Sequence, residues 1–394
     1  MSADWLKQVA RYVNRERMLD TAIKLVAVPS PTGDCGAVSD LLADMLLDDG
    51  FTIEREAASH PAAPAVLARH HASASGGCLQ FNGHLDVVHL PFVPPTVEGN
   101  LLRGSGSCDM KGGVAVAIEA LRVVRDSGLL EHGSLLLVAH DLHEAPWGLG
   151  EQLNELIRQG KHGDAVLLPE PLNGHLPIAG RGSATWKATV RRPGPAIHEV
   201  MRPLDEPSVI AAGAALALRL SRLAEELSSD RDPLAGQASV FFGQIHAGEI
   251  FNQYPQECWL EGTRRWLRVA DRAQVKADFH SLLDEVAWQH GVAISCEWKH
   301  IRDPFQLDTD DAIVKAFQHS YTAMQGAPLA SGPKLFVDDG NSFHGLAGVP
   351  TVTHGPRAGG QHTVEEWIDI DDMVRVATLY AATALGYLNQ QAPV

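Results

Sequence analysis

The chain has 394 residues, 45% of them apolar and 20% charged, with a net charge of −16. That length and composition call for about two globular domains, each with its own core. The acidic balance excludes a nucleic-acid or anionic-membrane partner, since no basic stripe is available to neutralise phosphates, and it fits a soluble enzyme.

In chain order, the spacing of apolar residues predicts a helix from Trp5 to Val28, stopped by Pro29 and the turn 29-PSPTG-33, then a second helix over 37–50. The opening residues are charged throughout and lack the apolar stretch of a signal peptide. Strand-like runs then alternate with helices: 78-CLQFNG-83, a helix from Met110 to Leu130, 134-SLLLVAH-140, a helix near 150–160, and 164-DAVLLPEP-171. This alternation predicts an α/β layer with a largely parallel sheet.

From about Arg181 the texture changes. The segment 184-ATWKATVRR-192 alternates polar and apolar residues, as a sheet with one solvated face does. A helix follows over 208–227; Arg219 and Arg222 interrupt its apolar character, so it reads as a packing helix and not as a membrane span. Strand-like 238–248 and 257–269, a helix over 271–291 and strand-like 292–298 complete a β-α-β-β-α-β unit. Beyond 300 the α/β pattern resumes, through 349-VPTVTHGP-356 to a last helix near Ile370–Leu388. The expected organisation is a catalytic α/β domain in two parts, 1–183 and 301–394, interrupted by an inserted α+β domain, 184–300. The five cysteines, at 35, 78, 108, 258 and 296, form no Cys-x-x-Cys pair, which suits a reducing cytoplasm and argues against a thiolate metal site.

Five stretches carry chemistry. In 82-NGHLDVVH-89, His84 and Asp86 share one strand face, either as a metal ligand with its supporting acid or as a strand-end histidine bonded to its neighbour. In 104-GSGSCDMKGG-113 a glycine-rich loop enters a helix at Asp109. The Walker spacing is absent, and a capping role explains Asp109 when it stands alone. Gly112 and Gly113 weaken the helix that follows, which points to a close backbone approach there. The strand ending in 140-HDLHEAPWGLG-150 presents His143 and Glu144, 168-LPEP-171 presents Glu170, and 355-GPRAGGQHTVEEW-367 delivers His362. Ligands gather beyond the carboxyl ends of strands in open α/β sheets. Histidines and carboxylates without thiolates suit Zn²⁺, Co²⁺ or Mn²⁺.

Taken together, 82-NGHLDVV-88, 104-GSGSCDMKGG-113, 169-PEP-171 and 359-GGQHTVEEW-367 resemble the M20 family of metallopeptidases and amidohydrolases, which includes acetylornithine deacetylase, succinyl-diaminopimelate desuccinylase and glutamate carboxypeptidase. The likeness runs from 24-KLVAVPSPTG-33 to the last helix. It implies hydrolysis of an amide bond, in a peptide or an N-acyl amino acid, by attack of a metal-activated water with a glutamate as general base. The metal would be Zn²⁺, one or two per chain, with Co²⁺ or Mn²⁺ as alternatives, and the assembly a homodimer.

By the resemblance, His84 and Glu170 bind a first metal, His362 a second, and Asp109 bridges them ahead of a cis peptide to Met110. Asp86 supports His84. In 194-GPAIHEV-200, His198 reaches a neighbouring subunit's site and steadies the oxyanion. Asn252, Arg265 and Gly360 line the substrate site, with Arg265 and the loop 357-RAGG-360 receiving a substrate carboxylate. Trp147 and Phe343 are candidates for an acyl pocket. Two rival readings are a catalytically impaired metal-binding relative and a serine hydrolase built on 340-GNSFHG-345, which lacks the second glycine of Gly-x-Ser-x-Gly.

The match breaks at 140-HDLHEAP-146, where the family carries two adjacent glutamates, base then ligand. Counting forward from Gly133 puts Glu144 at the ligand and His143 at the base. Counting back from Gly148 and Gly150 puts Glu144 at the base, with no ligand after it. The expectation adopted is Glu144 as general base and His143 as replacement metal ligand, with weaker second-site binding or a mononuclear site as its corollary.

Overall fold

The apolar run 135-LLLVA-139 has no polar face to give to water, and the strand His132–His140 that contains it is buried on both sides from Leu135 onward. It lies inside a six-stranded sheet in the computed structural model, which describes residues 2–390. The sheet order is Thr52–Glu56, Ala65–His71, His132–His140, Ala74–His84, Ala165–Leu168, Thr351–Thr353. The last four strands run parallel, and the first two form an antiparallel edge. That edge was not expected from sequence, because 52-TIERE-56 is mostly charged and offers little apolar alternation.

Helices cover both faces. On one, Leu136 and Val138 pack with Leu67 and Leu156, while Val166 meets Leu153, Ile157 and Phe343. On the other, the Phe81 ring lies 5.5 Å from that of Tyr380, and the helices Lys111–Ser127 and Ile370–Leu388 pack against the strand Ala74–His84. The expected single helix from Trp5 to Val28 is two, Ser2–Val9 and Arg15–Val26. Asn14 begins the second: its side chain accepts from Arg17 N at 2.9 Å, and its own N–H donates to buried Glu119 at 2.7 Å.

This unit comprises residues up to Ile178, then Gln306–Gly332, and resumes at Asp338; the other comprises Ala179–Phe305 with Pro333–Val337. The junctions lie about a turn's length outside the expected 183/184 and 300/301; Met1 and 391–394 lie outside the described residues. In the second unit the antiparallel order is Ser239–Ala247, Glu257–Trp266, Gly182–Arg191, Ala293–Arg302. The helices Val209–Leu227 and Arg272–His290 bury Leu216, Leu220, Phe279 and Leu283 against Trp186, Ala188 and Leu260. The chain order through it is β-α-β-β-α-β.

The two glycines that weaken the helix Lys111–Ser127 have a packing reason. A Cβ at Gly113 would run into the carbonyl of Pro169, and one at Gly112 into the carbonyl of Ser107. The helix therefore rests directly on the backbone that carries Glu170. Gly113→Ala should lower stability by about 1–3 kcal/mol in denaturant unfolding, despite alanine's better helix propensity. A stabilised variant would remove the Pro169 carbonyl as a constraint.

Candidate metal centre

His84 is the last residue of its strand and pairs in parallel register with His140, the last residue of the neighbouring one. Its ring is fully buried. Nδ1 lies 2.9 Å from the Asp86 carbonyl, which accepts its proton and leaves Nε2 unprotonated for a metal; Nε2 lies 3.1 Å from Asp109 Oδ1. The Asp86 carboxylate does something else. It stands 3.6 Å from His84 Nδ1 and accepts the backbone N–H of His143 at 3.0 Å and of Glu144 at 2.9 Å. The support expected from Asp86 thus reaches His84 through its carbonyl, while its carboxylate fixes the following strand end.

That strand end folds back on itself. Gly150 N–H donates to Leu142 O at 2.7 Å, and Gly148 N–H to Glu144 O at 2.6 Å. The segment 145-APWG-148 lies within this turn, and Leu142, at φ +63°, starts it. On the facing loop, Cys108 N–H and Asp109 N–H both donate to Glu366 Oε2 at 3.1 Å, and the Asp109–Met110 peptide is cis. His362 sits at φ +59° in a turn closed by Thr363 N–H donating to Gly360 O at 3.0 Å. Gly360 serves that turn, where a Cβ would meet the Glu365 carbonyl.

Asp109 divides its two oxygens. Oδ1 faces His84 at 3.1 Å and Oδ2 faces His362 Nε2 at 3.4 Å. Glu170 lies 3.9 Å from His84 Nε2, and Glu144 lies 3.3 Å from His362 Nε2. Ligands bound about 2.1 Å from a tetrahedral ion stand roughly 3.4 Å apart, so these separations suit two ions with Asp109 between them. His84, Asp109 and Glu144 also place donor atoms within 4.8 Å of one another.

The electrostatics agree with that donor set. Burial and then Asp109 push Glu170 well above the usual carboxylate range. Asp109 and Glu144 push His362 up to about 10. Burial opposes charge on His84, yet Asp109, Asp86 and Glu170 hold it well above the ordinary histidine value. The crowded carboxylates demand positive charge, and a divalent cation supplies it while leaving the histidines neutral to ligate.

A profile described as Peptidase family M20/M25/M40 matches residues 80–386. The chain belongs to this family. It is 28% identical to a succinyl-diaminopimelate desuccinylase of Methylobacterium radiotolerans, over 94% of this chain and 96% of the relative. Its fold is similar to that of aminopeptidase PepT from Bacillus cereus, at a TM-score of 0.79 and 19% identity, covering 95% of this chain and 99% of that one. It is also similar to the YXEP protein of Bacillus subtilis, a dinuclear metal-binding M20 peptidase, at a TM-score of 0.68 and 14% identity, covering 94% and 97%. The protein is accordingly a metal-dependent amide hydrolase.

In the stretch 140–150, Glu144 offers a carboxylate oxygen within 4.8 Å of donor atoms of His84 and Asp109 and faces His362, and His143 offers a ring nitrogen within 4.8 Å of donor atoms of His84 and Glu170. The His143 ring stacks on His84, with centroids 4.0 Å apart and planes 8° from parallel. A metal bond lies in the imidazole plane about 2 Å from its nitrogen, so two rings stacked in this way cannot share one ion. His143 Nδ1 instead lies 2.8 Å from Asp339 Oδ1, while Asp339 Oδ2 faces His140 Nε2 at 2.8 Å and Asn82 Nδ2 at 2.9 Å. Asp339 is fully buried. Burial disfavours its charge, but His143 and His140 hold it well below the usual carboxylate range, so it accepts from all three.

Asp339, His140 and Asn82 were not singled out from sequence. Asp339 opens the helix Asp339–Ala347, and Ser342, the nucleophile of the rival serine-hydrolase reading, is buried inside that helix. Phe343 is also in the core, packed with Leu153, Ile157, Val166 and Val349. Trp147 is half exposed and stacks on His89 at 4.2 Å. In the second unit, His198 Nε2 lies 3.1 Å from Asn252 Nδ2, on a short ladder pairing Ile197–His198 with Gln253–Tyr254. Arg265 sits on the strand Glu257–Trp266 opposite Ser183 and Ser239.

Asp86→Ala leaves two buried N–H groups without their acceptor. It should weaken metal retention about 10–100-fold in competition with a chelator. Unchanged retention would mean that the Asp86 carboxylate does not set the position of Glu144.

Proposed function

We propose that the protein is a dinuclear zinc hydrolase that releases an amine from an N-acyl amino acid or short peptide. One ion would be held by His84, Asp109 and Glu170, the other by Asp109, Glu144 and His362. The observation that carries this reading is the division of the Asp109 oxygens between His84 and His362. On this reading Glu144 is a ligand and not the base, and of the one or two ions per chain expected from sequence the site holds two. Bound ions polarise the amide carbonyl and acidify water at the site. The chain's own contribution is to fix those donors on strand ends and to bury them.

The similarity to a succinyl-diaminopimelate desuccinylase favours an N-acyl amino acid substrate, and the M20 peptidase folds keep short peptides in view. We place Arg265 and Gly360 at the substrate carboxylate, and His198 with Asn252 at the amide oxygen of a neighbouring subunit's substrate, in a homodimer. The exposed rings and chains of Ile210, Leu218, Phe241 and Ile245, on the helix Val209–Leu227 and the edge strand Ser239–Ala247, fit such a contact. No described helix is long and apolar enough to cross a membrane, and the five unpaired cysteines favour the cytoplasm.

A panel of N-acyl amino acids and dipeptides, assayed for amine release, should show zinc-dependent turnover that a chelator abolishes; no release from any of them would sink the reading. Elemental analysis should find two zinc equivalents per chain. Glu144→Gln should hold only one, whereas two retained equivalents with lost turnover would return Glu144 to the role of base. Sedimentation should give a dimer.

A further inference from the structure

The strand Glu257–Trp266 alternates its faces, and the face under the two helices of the second unit carries Cys258, Leu260 and then Arg264. The first two belong to the apolar core. Arg264 is a cation in the same row, only 6% exposed, with buried Val240 and Ala184 opposite it on the neighbouring strands. Arg265 points to the other face.

A buried guanidinium is costly unless its donors are met. Those of Arg264 are met in part. Nη1 donates to the carbonyls of Ser239, at 3.3 Å, and of Arg265, while Nε and Nη2 donate to no described residue and no described carboxylate pairs with the group. Burial pushes its pKa down to about 10, with Asp230 and Asp278 acting in the opposite sense, so it stays a cation at neutral pH. The nearby acids are engaged elsewhere: Glu226 with Arg219 at 3.4 Å, Asp230 with Arg268 at 3.3 Å, Asp278 with the Gln274 amide at 2.7 Å and Glu285 with that of Gln289 at 3.1 Å.

Arg264 instead lines a cavity of about 360 Å³ between the helices Val209–Leu227 and Arg272–His290. Buried Phe279 and Leu282 line it beside the guanidinium, and exposed Glu226, Asp278 and Glu285 border it. Its size suits a small molecule, and a carboxylate would complete the free guanidinium donors as a two-pronged acceptor. A multiply charged anion such as phosphate would face three acids. A molecule that brings an ammonium group together with its carboxylate satisfies both signs of charge. We propose that this cavity binds a free α-amino acid, its carboxylate on Arg264 and its ammonium towards Glu226, Asp278 and Glu285. All of these residues belong to the second unit and none to the metal centre, so occupancy does not depend on turnover.

The test is titration calorimetry on the full, zinc-loaded chain with glycine, L-leucine, L-lysine and L-glutamate, set against acetate, methylamine and inorganic phosphate. At least one amino acid should bind more tightly than acetate, methylamine or phosphate. Arg264→Gln should weaken that binding about 10–100-fold, the effect of losing a charge-assisted hydrogen-bonded pair, with zinc content unchanged. Asp278→Lys, on the exposed surface of its helix, keeps the test decisive if Arg264→Gln fails to fold: it should weaken the amino acid and strengthen acetate and phosphate. Arg265→Gln, on the opposite face of the strand, should leave the binding as it was. Absence of amino-acid binding overturns the proposal, as does binding that Arg264→Gln or Asp278→Lys leaves intact. Phosphate bound more tightly than every amino acid overturns it in favour of a plain anion site. Binding lost in Arg265→Gln but kept in Arg264→Gln overturns it by placing the amino acid at the substrate carboxylate site.

Discussion

The site depends on one buried carboxylate. Asp86 follows the strand that ends at His84, and its two ends act on two different elements. Its carbonyl receives the His84 ring proton, and its carboxylate receives the N–H groups of His143 and Glu144. Hydrogen bonds to a charged acceptor contribute about 1.5–3 kcal/mol each. Through them one residue sets the tautomer of His84 at the end of one strand and the backbone position of His143 and Glu144 beyond the end of the next. Parallel pairing of His84 with His140 brings the two strand ends level, and Asp86 converts that level into a fixed distance between donors.

Around this link the carboxylates are crowded further than water-exposed acids would tolerate. Asp109, Glu144 and Glu170 converge with two histidines, and Asp339 lies buried behind them. Such an arrangement favours compensating positive charge in the middle, which suits it to divalent ions. Asp339 is the exception in kind. Its compensation comes from His140 and His143, so it belongs to the ring that stands against the cluster and not to the cluster itself.

The positions of His84, Asp109, Glu170 and His362 were legible in the sequence because each follows an apolar run or a glycine-rich turn that fixes where the chain must end. The inserted β-α-β-β-α-β unit was legible for a similar reason: its alternation differs from that of the buried parallel strands. The role of Glu144 was not, since two ways of counting through 140–150 differ by one residue, in a stretch where Gly148 and Gly150 fold back onto Glu144 and Leu142. Asp339 was invisible for a stronger reason. It is 196 residues from His143, and nothing local marks it apart from the acid pair 338-DD-339 at the start of a short helix. The break at Asn14 was hidden because the apolar periodicity continues across it, while the polar cap that interrupts the helix finds its partner in Glu119, far along the chain.

The antiparallel edge of the six-stranded sheet has a bearing on how copies of the chain can meet. Its outermost strand, Thr52–Glu56, carries Glu54, Arg55 and Glu56 in succession. Each is paired, Glu54 with Arg69, Arg55 with Asp40 and Glu56 with Lys161. A further strand laid along that edge would have to break or bury these pairs, at a cost that main-chain hydrogen bonds do not offset. The edge is thereby closed to runaway sheet growth, and the large parallel sheet, with its nearly continuous aliphatic strands, ends in a strand that discourages fibrillar stacking.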